Sequence, residues 1–209
     1  MNKFRGDIEE RMYFKQLKVL IPATCLFAFG CSSNPDSSSN TISRSSLLVA
    51  VDTSGSAKAY KNAYFKDLNN FLIDLPPQER VVIFRFDAAP AEVHDGPPPE
   101  TLEKSSQLLI KTLAYSTETR GTNMKQLVSA FDTRLSRGTN NYDIRIYTDC
   151  GVEDMTAEQK RESKELVEKW VKSGRLNSIT LFGVQQGRRE DLRAIFDVDG
   201  VNLEFQGDI

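Results

Sequence analysis

The chain has 209 residues, of which 39% are hydrophobic and 27% charged, and its net charge is −2. That is enough for one domain with a full core, and the charge leaves no electrostatic footprint for nucleic acid. The three cysteines, Cys25, Cys31 and Cys150, show no metal-ligand spacing, which argues against a zinc site.

Residues 1–30 read as a signal peptide. Lys15 and Lys18 precede an apolar run from Val19 to Phe29 that is too short to span a bilayer comfortably. Asp7, Glu9 and Glu10 are unusual in a charged leader, and Met12 offers a cleaner start. Gly30-Cys31, followed by a Ser/Asn/Pro-rich tract, resembles a bacterial lipoprotein signal, although Ala28 and Phe29 depart from its usual Leu and small residue. The resemblance implies lipidation at Cys31, a mature N-terminus there, and an extracytoplasmic, membrane-anchored location in the bacterial cell envelope. An ordinary secretory signal or an uncleaved anchor is the alternative. With Cys31 lipidated, Cys150 is left as a single thiol and no intrachain disulfide can form. Residues 31–45 then form a flexible Ser/Asn-rich tether, and the folded domain is expected over residues 46–209.

The five apolar residues 47–51 have no polar alternation and read as a parallel strand buried on both faces. The strand runs into Asp52-Thr53-Ser54-Gly55-Ser56. A helix follows from about Ser56 to Leu75, with Tyr60, Tyr64, Leu68, Phe71, Leu72 and Leu75 at helical spacing and Pro76-Pro77 as its stop. Residues 80–87 form a second strand, and residues 91–95 an antiparallel partner at the sheet edge. A helix with Leu102, Leu109 and Leu113 follows Pro97-Pro98-Pro99. The polar loop 115–123 feeds a helix marked by Met124, Leu127, Val128, Phe131 and Leu135, closed near Gly138. Residues 142–148 form a fourth strand that ends at Asp149-Cys150-Gly151. Thr156-Ala157-Glu158-Gln159 is a capping box. It opens a charged helix that buries Leu166, Val167, Trp170 and Val171. A fifth strand over 177–184, a short helix over 189–196 and an alternating Val201, Leu203, Phe205 complete the pattern. The expected fold class is α/β: a doubly wound, mostly parallel six-stranded sheet with one antiparallel edge strand and helices on both faces.

Such sheets bind ligands at the C-terminal ends of their strands, where the strand order reverses. The first and fourth strands are expected to be neighbours there, so Asp52 and Asp149 should converge. Carboxylate and hydroxyl oxygens suit Mg²⁺ or Mn²⁺ and not a soft metal. The bland reading of Asp52-x-Ser54-x-Ser56 is an Asx-turn with a serine N-cap.

Asp52-x-Ser54-x-Ser56, Arg120-Gly121-Thr122-Asn123 and Thr148-Asp149-Cys150-Gly151 occur in that order. They resemble the three loops of the metal-ion-dependent adhesion site of the von Willebrand factor type A family. The resemblance covers about residues 45–206 and departs at Cys150, where glycine is usual. It implies that Ser54, Ser56 and Thr122 ligate Mg²⁺ or Mn²⁺ directly, and that Asp52 and Asp149 act mainly through metal-bound waters. It also implies an open coordination position for an acidic side chain of a partner protein, and no catalytic activity. Two alternatives stand beside it. One is a metal-dependent phosphoester hydrolase using Asp52 and Asp149. At Asp52 it is similar to the haloacid dehalogenase phosphohydrolases, but it lacks their second acid. The other is a tethered scaffold with a vestigial metal site. Gly-x-Gly-x-x-Gly, Walker A and Gly-x-Ser-x-Gly motifs are absent. The one histidine, His94, falls in the edge strand, away from the crevice, so a histidine-based triad has little to work with.

Overall fold

The structure, a computed structural model, describes residues 45–116, 121–149, 151–152 and 155–207. Cys31, Cys150, the signal-peptide stretch and the tether lie outside the described residues. All described residues belong to one compact unit, Thr41–Ile209. Every buried apolar side chain among them lies inside this unit, so it carries the core needed to fold alone.

Six strands form one sheet: β1 (Ser45–Asp52), β2 (Arg80–Phe86), β3 (Ala91–Gly96), β4 (Asn141–Tyr147), β5 (Leu176–Phe182) and β6 (Asn202–Gln206). Their spatial order is β3-β2-β1-β4-β5-β6. Only the β2–β3 pair is antiparallel. Five helices connect them: α1 (Lys61–Ile73), α2 (Leu102–Thr112), α3 (Met124–Arg137), α4 (Ala157–Lys172) and α5 (Arg189–Phe196). The chain builds outward from β1 to β3, returns across the sheet and builds outward again from β4. The reversal point is therefore the β1–β4 boundary.

β1 shows why its sequence lacks alternation. Leu48 and Ala50 face a core filled by α3, α4 and α5, while Leu47, Val49 and Val51 face a second core filled by α1 and α2. The only residues that tolerate both environments are apolar ones.

Several local expectations needed correction. The segment after Asp52 begins as a 3₁₀ turn, Ala57–Tyr60, before α1 starts, and Ser56 makes no side-chain capping bond. α1 ends at Ile73, so Leu75 lies beyond it. The first proline of Pro76-Pro77 pushes the residue before it out of helical geometry. Leu102 opens α2 but is 51% exposed, and Ser105 and Leu109 form the buried stripe. In α4 the stripe is Ser163, Val167 and Trp170, flanked by Leu166 and Val171. The capping box is complete, with bonds from Gln159 N–H to Thr156 Oγ1 and from Thr156 N–H to Gln159 Oε1. The indole of Trp170 donates to Asp132 at 2.8 Å, which satisfies its polar edge.

One charge is buried under the first helix. Arg145 on β4 is 7% exposed. It donates to Asp67 of α1 at 2.7 Å, to the Tyr147 hydroxyl at 2.6 Å and to Gln206 at 3.1 Å. Its guanidinium lies 4.5 Å from the Phe71 ring centroid. Its charge is met on every side, as a buried charge must be. No described helix is long and apolar enough to cross a membrane.

Candidate metal centre

β1 carries Asp52 to the C-terminal edge of the sheet, where its side chain is fully buried. One carboxylate oxygen accepts the Ser54 N–H at 2.9 Å, an Asx-turn that folds the loop back on the strand end. The other accepts the hydroxyls of Thr122 at 3.0 Å and Thr148 at 2.8 Å. Ser54 Oγ accepts the Ala57 N–H at a long 3.4 Å and lies 3.2 Å from Ser56 Oγ. Ser56 Oγ in turn donates to Asp149 at 3.4 Å. The Asx-turn of the bland reading is therefore present. Ser56 holds the N-cap position without a capping bond and turns toward the acid of another loop, while Ser54 accepts the first N–H of the turn.

Backbone bonds fix the three loops. Thr53 N–H donates to Phe86 at the end of β2, and Thr53 C=O accepts from Ser116, both at 2.8 Å. Asn123 N–H reaches Asp87 C=O at 2.8 Å, and the Asn123 side chain caps α3 through Gln126 N–H. That cap holds Thr122 one residue ahead of the helix. Thr148 N–H extends the β4–β5 ladder to Phe182 at 3.0 Å, and Arg188 grips the Asp149 carbonyl at 2.5 Å. The five residues singled out in the sequence, Asp52, Ser54, Ser56, Thr122 and Asp149, thus form one connected cluster. Sequence reasoning missed two contributors. Thr148 could have been found from its place beside Asp149 at a strand end. Arg188 comes from a 3₁₀ turn after β5 and carries no local signal.

Burial raises the pKa of Asp52, and the nearby charge of Asp149 adds to the rise. Hydrogen bonds from Ser54 and Thr148 oppose it without cancelling it. No lysine or arginine pairs with either carboxylate among the described residues. Tyr115 is also held neutral, mainly by burial and further by the charge of Asp52. Its hydroxyl has no hydrogen-bond partner among the described residues. A cleft of about 430 Å³ opens beside Thr122 and runs between the first turns of α3 and α4, past Met124, Lys125, Met155 and Gln159.

The donor set fits a small hard cation. Two carboxylates and three hydroxyls meet, and Thr122 spends its proton on Asp52, leaving its oxygen lone pairs free. Among the described residues no group of three or more His, Cys, Asp or Glu residues is placed to hold a metal ion, so the oxygens on offer are mainly hydroxyls. His94 sits on β3 at the far edge, opposite Ile83, with a buried ring nitrogen that has no partner among the described residues.

No family model matches the chain, and no curated protein does. Solved structures do match it. A von Willebrand factor type A protein from Catenulispora acidiphila superposes with a TM-score of 0.60 at 13% identity, covering 79% of this chain and 39% of that one. This chain has the von Willebrand factor type A fold. The ArnB paralog VWA2 from Sulfolobus acidocaldarius gives a TM-score of 0.54 at 14% identity, over 77% of this chain and 41% of that one. An aerotolerance-related membrane protein from Bacteroides fragilis gives 0.56 at 11% identity, over 78% and 91% respectively. The chain spans less than half the length of the first two. At these identities the likeness speaks for the von Willebrand type A fold alone.

Proposed function

We propose that this is an extracytoplasmic von Willebrand type A domain, lipid-anchored through Cys31, that binds a partner protein through a divalent cation. Asp52, Ser54, Ser56, Thr122 and Asp149 would hold Mg²⁺ or Mn²⁺. When bound, the ion would supply an electrophilic position for an Asp or Glu of the partner. The observation that carries the reading is the meeting of hydroxyls from two loops and carboxylates from two strand ends, with no cation among the described residues paired to either carboxylate. The chain's own part is to present those oxygens. Thr122 and Thr148 orient Asp52, Arg188 holds the Asp149 backbone, and the cleft beside Thr122 offers room for residues flanking the partner's acid.

The test is the melting temperature of residues 41–209 in EDTA against millimolar Mg²⁺ and Mn²⁺. A ligand that binds only the folded state stabilises it by about 2.7 kcal/mol at a hundred times its Kd, which is several degrees for a domain of this size. The rise should disappear in Asp52→Ala. If neither ion shifts the wild type, the reading of a tethered scaffold with a vestigial site replaces this one. Lipidation is checked separately: Cys31→Ser should move the protein from the membrane to the soluble fraction.

A further inference from the structure

We propose that the end of the domain opposite the candidate metal centre is a docking surface for the phosphate headgroups of an anionic membrane. Parallel topology places the N-terminal ends of β1, β2 and β4 at that end, together with the C-terminal end of α3. A cavity of about 360 Å³ opens there, lined by Arg80, Arg134, Arg137, Thr139, Asn140 and Tyr142. Every one of these side chains offers at least one hydrogen-bond donor, and three are guanidinium groups, whose fork geometry suits phosphate oxygens.

Two of the arginines are held in place. Asp95 accepts Arg80 Nε at 2.5 Å and Arg80 Nη2 at 2.7 Å, and the same carboxylate accepts Arg134 at 2.7 Å. Glu92 lies 3.6 Å from Arg134. Arg137 is exposed and has no carboxylate partner among the described residues. A fourth arginine, Arg175, donates to the Asn140 carbonyl at 3.4 Å. Four cations against two acids leave a positive excess around the cavity. Asp74, Glu79 and Glu100 also lie at this end by topology, as do Asp197 and Asp199 in the α5–β6 link, but none of them lines the cavity.

The position of the chain argues for a membrane as the occupant. Asn140 of the cavity donates to Ser46 Oγ at 2.8 Å, and Ser46 is the second residue of β1. β1 therefore begins beside this cavity, and the residue before it in the sequence is Arg44. From Cys31 to Ser45 the chain spans at most roughly 50 Å. On the lipid-anchored reading, on which this orientation rests, the basic end is the one drawn to the bilayer, leaving the oxygen cluster facing away. Basic residues beside an anchor add to it by attraction to anionic lipid.

The test uses residues 41–209, which carry no anchor, so its outcome is independent of lipidation and of metal binding. Sedimentation with phosphatidylglycerol-containing vesicles is compared with phosphatidylcholine vesicles at low salt. The expected result is binding to the anionic vesicles only, lost as salt rises. Arg137→Gln with Arg175→Gln should lower it at least about fivefold. Lys66→Gln with Lys111→Gln removes the same charge from α1 and α2 and should leave most of it. Melting temperatures of both variants confirm that they are folded. Absence of binding to anionic vesicles, or equal losses in the two double variants, would overturn the proposal. So would chemical-shift changes at the cavity with inorganic phosphate but no vesicle binding, which would mark a site for free anions only.

Discussion

A carboxylate with no exposed surface and a second carboxylate nearby costs stability unless a cation joins it. Asp52 is such a group, and its pKa is raised above the ordinary 3.8. The sign follows: its contribution to stability is fully present below the unfolded value and is lost as pH climbs through the higher folded value. In EDTA the wild-type domain should therefore lose stability as pH rises from about 4. Asp52→Asn, which keeps the shape, should melt higher than wild type at pH 7. The same variant should lose the response to Mg²⁺. A lower melting point for Asp52→Asn in EDTA would show that its hydrogen bonds outweigh the cost of the charge. At this scale the sequence was informative wherever a residue lies at the C-terminal end of a strand or in the loop between a strand and a helix. Asp52, Ser54, Ser56, Thr122 and Asp149 all do, and they meet. Arg188 was invisible because its contact is made across 39 residues to a backbone carbonyl, which no side-chain pattern reports.

Element boundaries and buried faces depend on partners, and there the reading of the sequence was coarser. The strands and helices were legible because hydrophobic period and prolines mark them. Leu102 misled because a leucine at a helix start looks like the first of a stripe, although α2 begins beyond the rim of the core. Arg145 was unreadable as a core residue: its burial depends on Asp67, Tyr147 and Gln206 arriving from α1, β4 and β6. Removing Asp67 leaves the buried Arg145 charge without its carboxylate, so Asp67→Leu should cost about 3–5 kcal/mol in urea denaturation. Arg145→Leu added to it should recover a large part, a coupling that a double-mutant cycle measures. The β2–β3 edge is pinned differently. Arg80, with help from Arg134, holds the Asp95 carboxyl down at about 2. Its stabilisation is present above the ordinary carboxylate pKa and is lost as pH falls through about 2. Arg80 is half exposed, so Asp95→Asn should cost only on the order of 1 kcal/mol at pH 7. The difference from wild type should close in acid, which stability measured against pH would detect. Thr156→Ala, which breaks the cap of α4, should cost about 1 kcal/mol by thermal melting.

For the whole molecule, the pairing of β1 with β4 and the antiparallel edge at β3 were legible from the alternation of elements and from one hairpin-length link, because crossover handedness and short connections leave few arrangements. The polarity of the two ends was not. Arg80, Arg134, Arg137 and Arg175 are scattered along the sequence and gather only when the strands align. β1 joins the two ends. Its inner residues are buried on both faces and bonded to strands on both sides, so their amides have no local route to solvent. Hydrogen exchange at Val49, Ala50 and Val51 should proceed only through global unfolding, and a cation that stabilises the fold should slow all three by one common factor. The foundation of the oxygen cluster would then open only when the entire domain does, leaving the loops to supply whatever movement accompanies binding.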